Sequence, residues 1–480
     1  MNADDRAQLA ESGIDPEAAE QQLRRLAAPP VATRLLRPAT VGDGIERIAE
    51  KDIPLLLERA EEAREQGRFL KFVPASGAAS RMFRSLAVVA ERFPDGDRAA
   101  IRAAAESGDS DAQEVLDLSQ ALPRMALGEV FTSRGRIDSE ALHALAAETS
   151  HEPLSTLFEL FFPPSTSADA PNAWSPVALP KGLLPFHRVA GTSRSAFEEQ
   201  LSEGLHYLLD ANGIARYHFT VADSARDLFR DELEQAHVRL LSGGSRFDVT
   251  FSEQPPSSHA LALDEHGQPA RTADGRLLLR PSGHGALLDN LAETRGDLVF
   301  VKNIDNLLTA NRHAEIARWK KILAGKLLEA ISTGDSSAPW RVCGVVPNSG
   351  EPGGGPFWIA GAGGAEKLQI VESSEIAPGD TAQQALFRAS THFNPVDLVV
   401  SLRDRNGRPW ALDRFIDPAR ALVAERSESG RKLRVFERPG LWNGAMGNWN
   451  TLLVEVPAWT FAPVKTALDL ARAEHLEQGG

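Results

Sequence analysis

From Phe69 onward, short apolar runs alternate with stretches of helical periodicity, which restricts the chain to an α/β fold built on a largely parallel sheet. The clearest runs are Phe69–Val73, Tyr217–Val221, Phe247–Phe251, Leu298–Val301, Leu368–Val371, Val396–Leu402 and Leu452–Val456. Met82–Phe93, Ser224–Leu241 and Arg312–Ile331 carry helical patterns between them. Residues 1–65 read as helical, with Gly67 as a stop, and 94–160 as a mostly helical stretch with turns at Asp95–Gly96 and Ser107–Gly108–Asp109. Phe161–Pro180 carries five prolines and reads as a loop or linker. No internal repeat is present.

The composition excludes several classes of function. A net charge of −14 argues against generic nucleic-acid binding, which needs a basic stripe. No apolar run approaches the roughly 18 residues of a membrane span, and Met1–Ala27 is charged and alanine-rich, without the apolar centre of a signal peptide. The single cysteine, Cys343, excludes an internal disulfide and any cysteine-based zinc site. The expected setting is the cytoplasm, with no membrane or nucleic-acid partner. P-loop, G-x-S-x-G, H-E-x-x-H and paired C-x-x-C motifs are missing, which removes P-loop kinases, common serine hydrolases and zinc peptidases.

The candidate chemistry lies in loops between the regular elements. In Pro74–Arg81, the small residues Ser76, Gly77 and Ala78 follow a strand and precede a helix, where backbone N–H groups can approach a phosphate. Arg81 adds a forked cation. The same loop also reads as a structural strand-to-helix turn. Lys181 is locked between Pro180 and Gly182, which restrains its approach; it reads equally as a surface lysine in a turn. Gly283 and Gly285 flank His284, so the main chain can contact a planar ring while the imidazole bonds a base or sugar hydroxyl. Asp305, between Asn303 and Asn306, follows an apolar strand, where open α/β sheets place ligand and metal groups; an Asx turn is the alternative. Glu372, His392 and Asn394 stand at strand ends and suit sugar hydroxyls, or ordinary turns. The glycine-rich run Asn348–Trp358 reads as unable to form regular structure, hence a connector or a substrate loop. Lys465, near Pro463 after the last apolar strand, reads as an aimed cation or a solvated one.

Taken in order, the small-residue loop with its arginine, P-K-G, G-H-G, N-I-D-N, F-N-P and P-V-K-T resemble the eukaryotic-type UDP-sugar pyrophosphorylases. A closer resemblance, from about residue 70 to the end, is to a bacterial domain-of-unknown-function family of the 4301 type. It includes Arg341-Val342-Cys343-Gly344, Gly350–Gly355 and Leu441-Trp442-Asn443-Gly444. The resemblance implies a GT-A-like (Rossmann-like) nucleotidyltransferase fold, a mixed sheet flanked by helices, with an N-terminal helical extension. It divides the chain into that extension (1–65), a nucleotide-binding core (66–345) with a helical insertion at about 94–160, and a C-terminal part (346–480) completing the sugar-phosphate site.

The implied activity joins a sugar-1-phosphate to a nucleoside triphosphate and releases pyrophosphate. In it the loop around Gly77 and Arg81 meets the triphosphate, Lys181 meets phosphate, Gly283–Gly285 frame the nucleoside, Asp305 holds Mg²⁺ and Lys465 meets the sugar phosphate. The chain departs from the L-x-G-G-x-G-T-R-L pattern: Ser76 and Ala79 stand at glycine positions and Ser80 replaces threonine. Added Cβ atoms restrict backbone approach. That departure keeps a non-catalytic sugar-nucleotide-binding protein in view, and a GT-A glycosyltransferase would share the strand-end carboxylate and the metal.

Overall fold

In the computed structural model, which describes residues 1–28, 32–147, 149–163, 174–294, 296–350, 353–361, 364–428 and 431–476, the apolar runs form strands of a nine-stranded sheet, except Leu368–Val371, which joins a smaller one. Residues 164–173 of the proline-rich segment, and Glu351 and Pro352 of the glycine-rich run, lie outside the described residues. The strands in chain order begin with β1 (Leu35–Pro38), β2 (Thr40–Val41), β3 (Gly44–Glu46), β4 (Phe69–Pro74), β5 (Pro185–Val189) and β6 (Thr192–Ser195). Next come β7 (Ile214–Thr220), β8 (Arg246–Ser252), β9 (Ala262–Leu263), β10 (Leu298–Val301), β11 (Trp340–Pro347) and β12 (Gly354–Ala360). The last are β13 (Glu366–Glu372), β14 (His392–Ser401), β15 (Leu422–Glu428), β16 (Arg431–Glu437) and β17 (Asn450–Glu455).

The large sheet has the order β2-β3-β17-β11-β14-β10-β4-β7-β8. Every neighbouring pair is parallel except those of β14, which runs antiparallel to both β11 and β10. Alternation explains why the central strands are apolar throughout. Leu298 and Phe300 of β10 enter the core on one face, and Val299 and Val301 enter the core on the other. A sheet covered on both faces needs such strands. Three smaller antiparallel sheets, β1-β12-β13, β15-β16-β9 and β5-β6, complete the β structure.

The first face is covered by helices Ala196–Leu208 and His313–Thr333 and by a group of helices between Arg98 and Phe161. Asp97, Asp109 and Asp138 cap three of these, accepting hydrogen bonds from first-turn N–H groups. Helix Ile53–Glu65 crosses His313–Thr333 at Gly325, where a Cβ would lie 2.1 Å from the Leu56 carbonyl oxygen.

Two sequence readings are corrected here. Residues 35–46, read as helical, form β1, β2 and β3; β3 extends the large sheet by pairing with β17, and β2 pairs with β3. Their runs are too short and polar to show strand alternation. The glycine-rich run also forms regular structure, because β12 begins at Gly354. A Cβ there would lie 2.4 Å from the Val371 carbonyl oxygen and 2.6 Å from Asn394 Oδ1, so the glycine permits a close approach between strands.

Candidate functional site

All the parallel strands point their C-terminal ends to one edge, where open α/β sheets seat their ligands. β4 ends at Pro74 and leads into the exposed residues Ser76, Gly77 and Ala78. A Cβ on Gly77 would meet nothing within 4 Å, so the space before this loop is open. A five-residue 3₁₀ turn, Ala79–Phe83, separates it from the α-helix, which starts at Arg84 and not at Met82. Arg81 projects from that turn, exposed and without an ion-pair partner among the described residues.

The loop is joined directly to the second motif. Lys181 N–H donates to the Gly77 carbonyl at 3.0 Å, Ala79 N–H donates to the Leu179 carbonyl at 3.4 Å, and Ala78 bridges Pro180. From there the Lys181 ammonium reaches the Asp305 carboxylate at 2.7 Å and the Val464 carbonyl at 2.5 Å. Lys465 Nζ stands 3.5 Å from the same Asp305 oxygen. Four segments far apart in sequence therefore meet. Lys181 and Asp305 are largely covered, whereas the Lys465 side chain is 64% exposed.

Charge and burial compete in this cluster. Burial pushes the Asp305 carboxyl up, but the fields of Lys465 and Lys181 and the Lys181 hydrogen bond overcome it and hold its pKa below the ordinary value. Burial pushes the Lys181 ammonium down; Asp305 opposes this, Lys465 reinforces it, and the net shift is downward.

A second group occupies the same edge. Gly283 has φ +73°, open to glycine, and Gly285 packs so tightly that a Cβ would lie 2.1 Å from the Pro439 carbonyl oxygen. His284 accepts a hydrogen bond from Leu441 N–H at its Nδ1, so its Nε2 carries the proton, 3.9 Å from Glu372 Oε1. Its ring stacks on Trp442 at 4.6 Å. Burial lowers the His284 pKa against the opposing charges of Glu372 and Glu437.

Glu372 pairs across β12 with Gly354, beside Asn394, whose buried Oδ1 has no hydrogen-bond partner among the described residues. His392 is differently placed. Its Nδ1 is 2.9 Å from Thr391 Oγ1 and its Nε2 is 3.2 Å from Glu455 Oε2, so both ring nitrogens are already engaged. Phe393, beside Asn394, packs on Phe461 at 4.9 Å and ties this group to the loop of Lys465.

Among the described residues no set of three or more His, Cys, Asp or Glu side chains is arranged to hold a metal ion. Mg²⁺ commonly binds through one or two carboxylates, with substrate phosphates and water completing its shell. The single Asp305 carboxylate at the open edge fits that mode.

A family profile described as "Domain of unknown function (DUF4301)" matches residues 2–336 and 333–476. The chain belongs to the DUF4301 family. No curated protein matches it. The DUF4301 chain is similar to the solved uridine diphosphate N-acetylglucosamine pyrophosphorylase of Trypanosoma brucei, with 14% identity and a TM-score of 0.51 over 97% of this chain and 77% of that one. A putative UDP-N-acetylglucosamine pyrophosphorylase from Entamoeba histolytica matches at 12% identity and TM-score 0.45, over 88% and 83% of the two chains. A UDP-glucose pyrophosphorylase mutant from Leishmania major matches at 12% and 0.44, over 97% and 77%. At such identities the likeness concerns the fold, which is nucleotidyltransferase-like.

Several residues that build the candidate site were not among the residues singled out from the sequence. Asn306 Nδ2 donates to the Val396 carbonyl while its Oδ1 accepts from Ala462 N–H, which clips β14 and the Lys465 loop to the turn of Asp305. Gln200 donates to the carbonyls of Asn303 and Ile304 and fixes that turn from below. Asp469 accepts from the N–H groups of Lys465 and Thr466. The signal for Asp469 was local, because an acid three residues after Thr466 forms a capping box.

Proposed function

We propose that this protein is a nucleotidyltransferase that joins a sugar-1-phosphate to a nucleoside triphosphate and releases pyrophosphate. The observation that carries the reading is the meeting of Lys181, Asp305 and Lys465 at the C-terminal edge of the sheet, against the open loop Ser76–Ala78. A phosphate oxygen of the sugar-1-phosphate attacks the α-phosphorus. The bond from that phosphorus to the oxygen bridging to the β-phosphate breaks, and the electron pair leaves on pyrophosphate. The nucleophile is already an anion, so no protein base is needed, and catalysis consists of positioning and charge neutralisation.

Lys465, exposed and swinging from a fixed backbone, meets the sugar phosphate. Lys181 and Arg81 face the triphosphate beside Ser76–Ala78. Gly283, His284 and Gly285 frame the nucleoside, and Glu372 with the unpartnered Asn394 Oδ1 accepts from sugar hydroxyls. The engaged nitrogens of His392 suit it to bracing that pocket through Glu455. Asp305 would hold Mg²⁺, which supplies neutralisation of phosphate charge when bound.

The test is a pyrophosphate-release screen of nucleoside triphosphates against sugar-1-phosphates with Mg²⁺. Release that requires both substrates, and a kcat lower by roughly 10²–10³ in Lys465→Ala, is the expected result. Silence with every pair sinks the reaction. Binding of a nucleotide sugar without release would instead favour the non-catalytic reading, to which Ala79 lends support because its N–H is spent on Leu179.

A further inference from the structure

The backbone under Lys465 is held more firmly than an exposed lysine requires. Ala462 N–H donates to Asn306 Oδ1 at 2.9 Å, and Pro463 has no N–H. Val464 N–H donates to the Asp305 carbonyl at 3.0 Å, while its own carbonyl receives Lys181. Lys465 N–H and Thr466 N–H both donate to one oxygen of Asp469, at 2.6 and 2.8 Å. Every backbone donor from 462 to 466 is thus committed, and the last two depend on a single carboxylate that is itself buried. The other Asp469 oxygen takes Arg472 at 2.6 Å. Beyond it the chain is pinned again, where the buried His475 meets His187 at 2.9 Å.

We infer that Asp469 is a positioning residue for Lys465: it fixes the backbone from which the ammonium is aimed at phosphate. The inference rests on the phosphate-binding reading of the lysine cluster. A carboxylate that served only to cap the 3₁₀ turn Ala467–Ala471 would affect stability and leave phosphate binding by Lys465 unchanged. A positioning carboxylate makes the two residues act as one unit, and units are non-additive.

The experiment is calorimetric titration of inorganic phosphate, the group common to every sugar-1-phosphate, into the full chain and its variants, with circular dichroism to establish folding. Asp469→Ala should weaken binding about ten-fold, the scale of losing hydrogen bonds to a charged group. Asp469→Asn should recover most of this, because its carbonyl oxygen still accepts from both N–H groups. Lys465→Ala should weaken binding at least as much as Asp469→Ala, and Asp469→Ala with Lys465→Ala should match Lys465→Ala alone within about two-fold. Where Asp469→Ala does not fold, Asp469→Ser replaces it with the same expectation. Multiplicative losses in the double variant, or full affinity in folded Asp469→Ala, overturn the inference while leaving the lysine cluster as a phosphate site. Wild-type protein that does not bind inorganic phosphate overturns that reading, and this inference with it.

Discussion

Asp305 is a shared counter-ion, and its neutralisation has two separable effects. Asp305→Asn removes the charge that offsets the mostly covered Lys181 and the nearby Lys465. Turnover should fall to background, and stability should fall by about 1–3 kcal/mol, since a covered charge is left unmatched. Lys181→Met combined with Asp305→Asn should recover stability without recovering turnover, as denaturant titration beside the release assay would show. Equal stability in all three proteins would mean that the pair is effectively solvated. The pH response at this scale belongs to His475. Burial, then the charges of His187 and Arg472, push its pKa down to about 3, against a hydrogen bond with the Ala462 backbone. An unfolded histidine titrates near 6.5, so between those values the unfolded chain holds the extra proton. His475 therefore contributes fully above pH of about 6.5, and its contribution is lost as pH falls, at no more than about 1.4 kcal/mol per pH unit. Urea unfolding at several pH values should give a shallower acid slope for His475→Gln than for wild type; identical slopes would exclude this linkage. Lys181, Asp305 and Lys465 were visible in sequence because prolines, glycines and asparagines mark turns at strand ends. Asn306 and Gln200 were less so, since what they hold is backbone elsewhere in the chain, whereas Asp469 left only the local signal of a capping box.

Helix Ala196–Leu208 shows how an element can mislead when it is read alone. Glu198, Glu199 and Glu203 would mark a solvated face in an isolated helix, yet all three are buried. Their countercharges arrive from other elements. Glu199 faces His187 at 3.4 Å and His313 at 3.3 Å, and Glu203 faces Lys71 of β4 at 2.9 Å and Lys302, just past β10, at 3.4 Å. Asp397 of β14 takes Lys320 at 2.5 Å and Lys302 at 3.4 Å. The second network thus holds Lys71, Lys302 and Lys320 against Glu203 and Asp397, one more cation than anion. That excess is consistent with Lys71, which burial and the other two lysines push down to about 7 against the pull of Glu203. The two substitutions should accordingly differ. Glu203→Gln strands the lysines and should cost about 3–5 kcal/mol, whereas Lys71→Met leaves two cations facing two anions and should lie within about 1 kcal/mol of wild type or above it. Thermal and urea unfolding measure both, and equal losses would show that the network does not titrate as a unit. Strands such as Leu298–Val301 were legible because both their faces are covered by protein. β12 was not, because its glycines exist for the strands they touch.

At the scale of the whole molecule, stability is distributed among unequal cores. The two large clusters lie on the faces of the nine-stranded sheet, but helices Ala3–Glu11 and Pro16–Ala27 belong to neither. Leu9 packs with Leu261 and Leu277, and Leu26 packs with Ala260, Leu263 and Phe436. Gln8 exchanges two hydrogen bonds with the Leu277 backbone, and Asp5 pairs with Arg271 at 2.8 Å. The N-terminal helices are thus built onto β15-β16-β9, which come from the middle and end of the chain. No local pattern could reveal this pairing, because each partner completes an apolar face only after the chain has folded back. Small cores with exposed rims open at lower free energy than the sheet they attach to. Hydrogen exchange should show amides of residues 262–278 and 431–437 opening before those of Leu298–Val301 and Val342–Val345. Leu26→Ala removes a fully buried side chain and should lower the opening free energy of that module by about 2–5 kcal/mol. Protection in the central strands should not change. The effect should reach the His284 side of the candidate site, proposed to frame the nucleoside, selectively, because β16 runs into Arg438, whose N–H donates to the Ser282 carbonyl just before Gly283. The lysine cluster, held by β4, β10 and the segment after β17, has no such dependence. Leu26→Ala should therefore weaken nucleotide binding and spare pyrophosphate binding. Equal loss of protection in Leu298–Val301, or a parallel loss of pyrophosphate affinity, would show that the N-terminal helices and the sheet unfold as one unit.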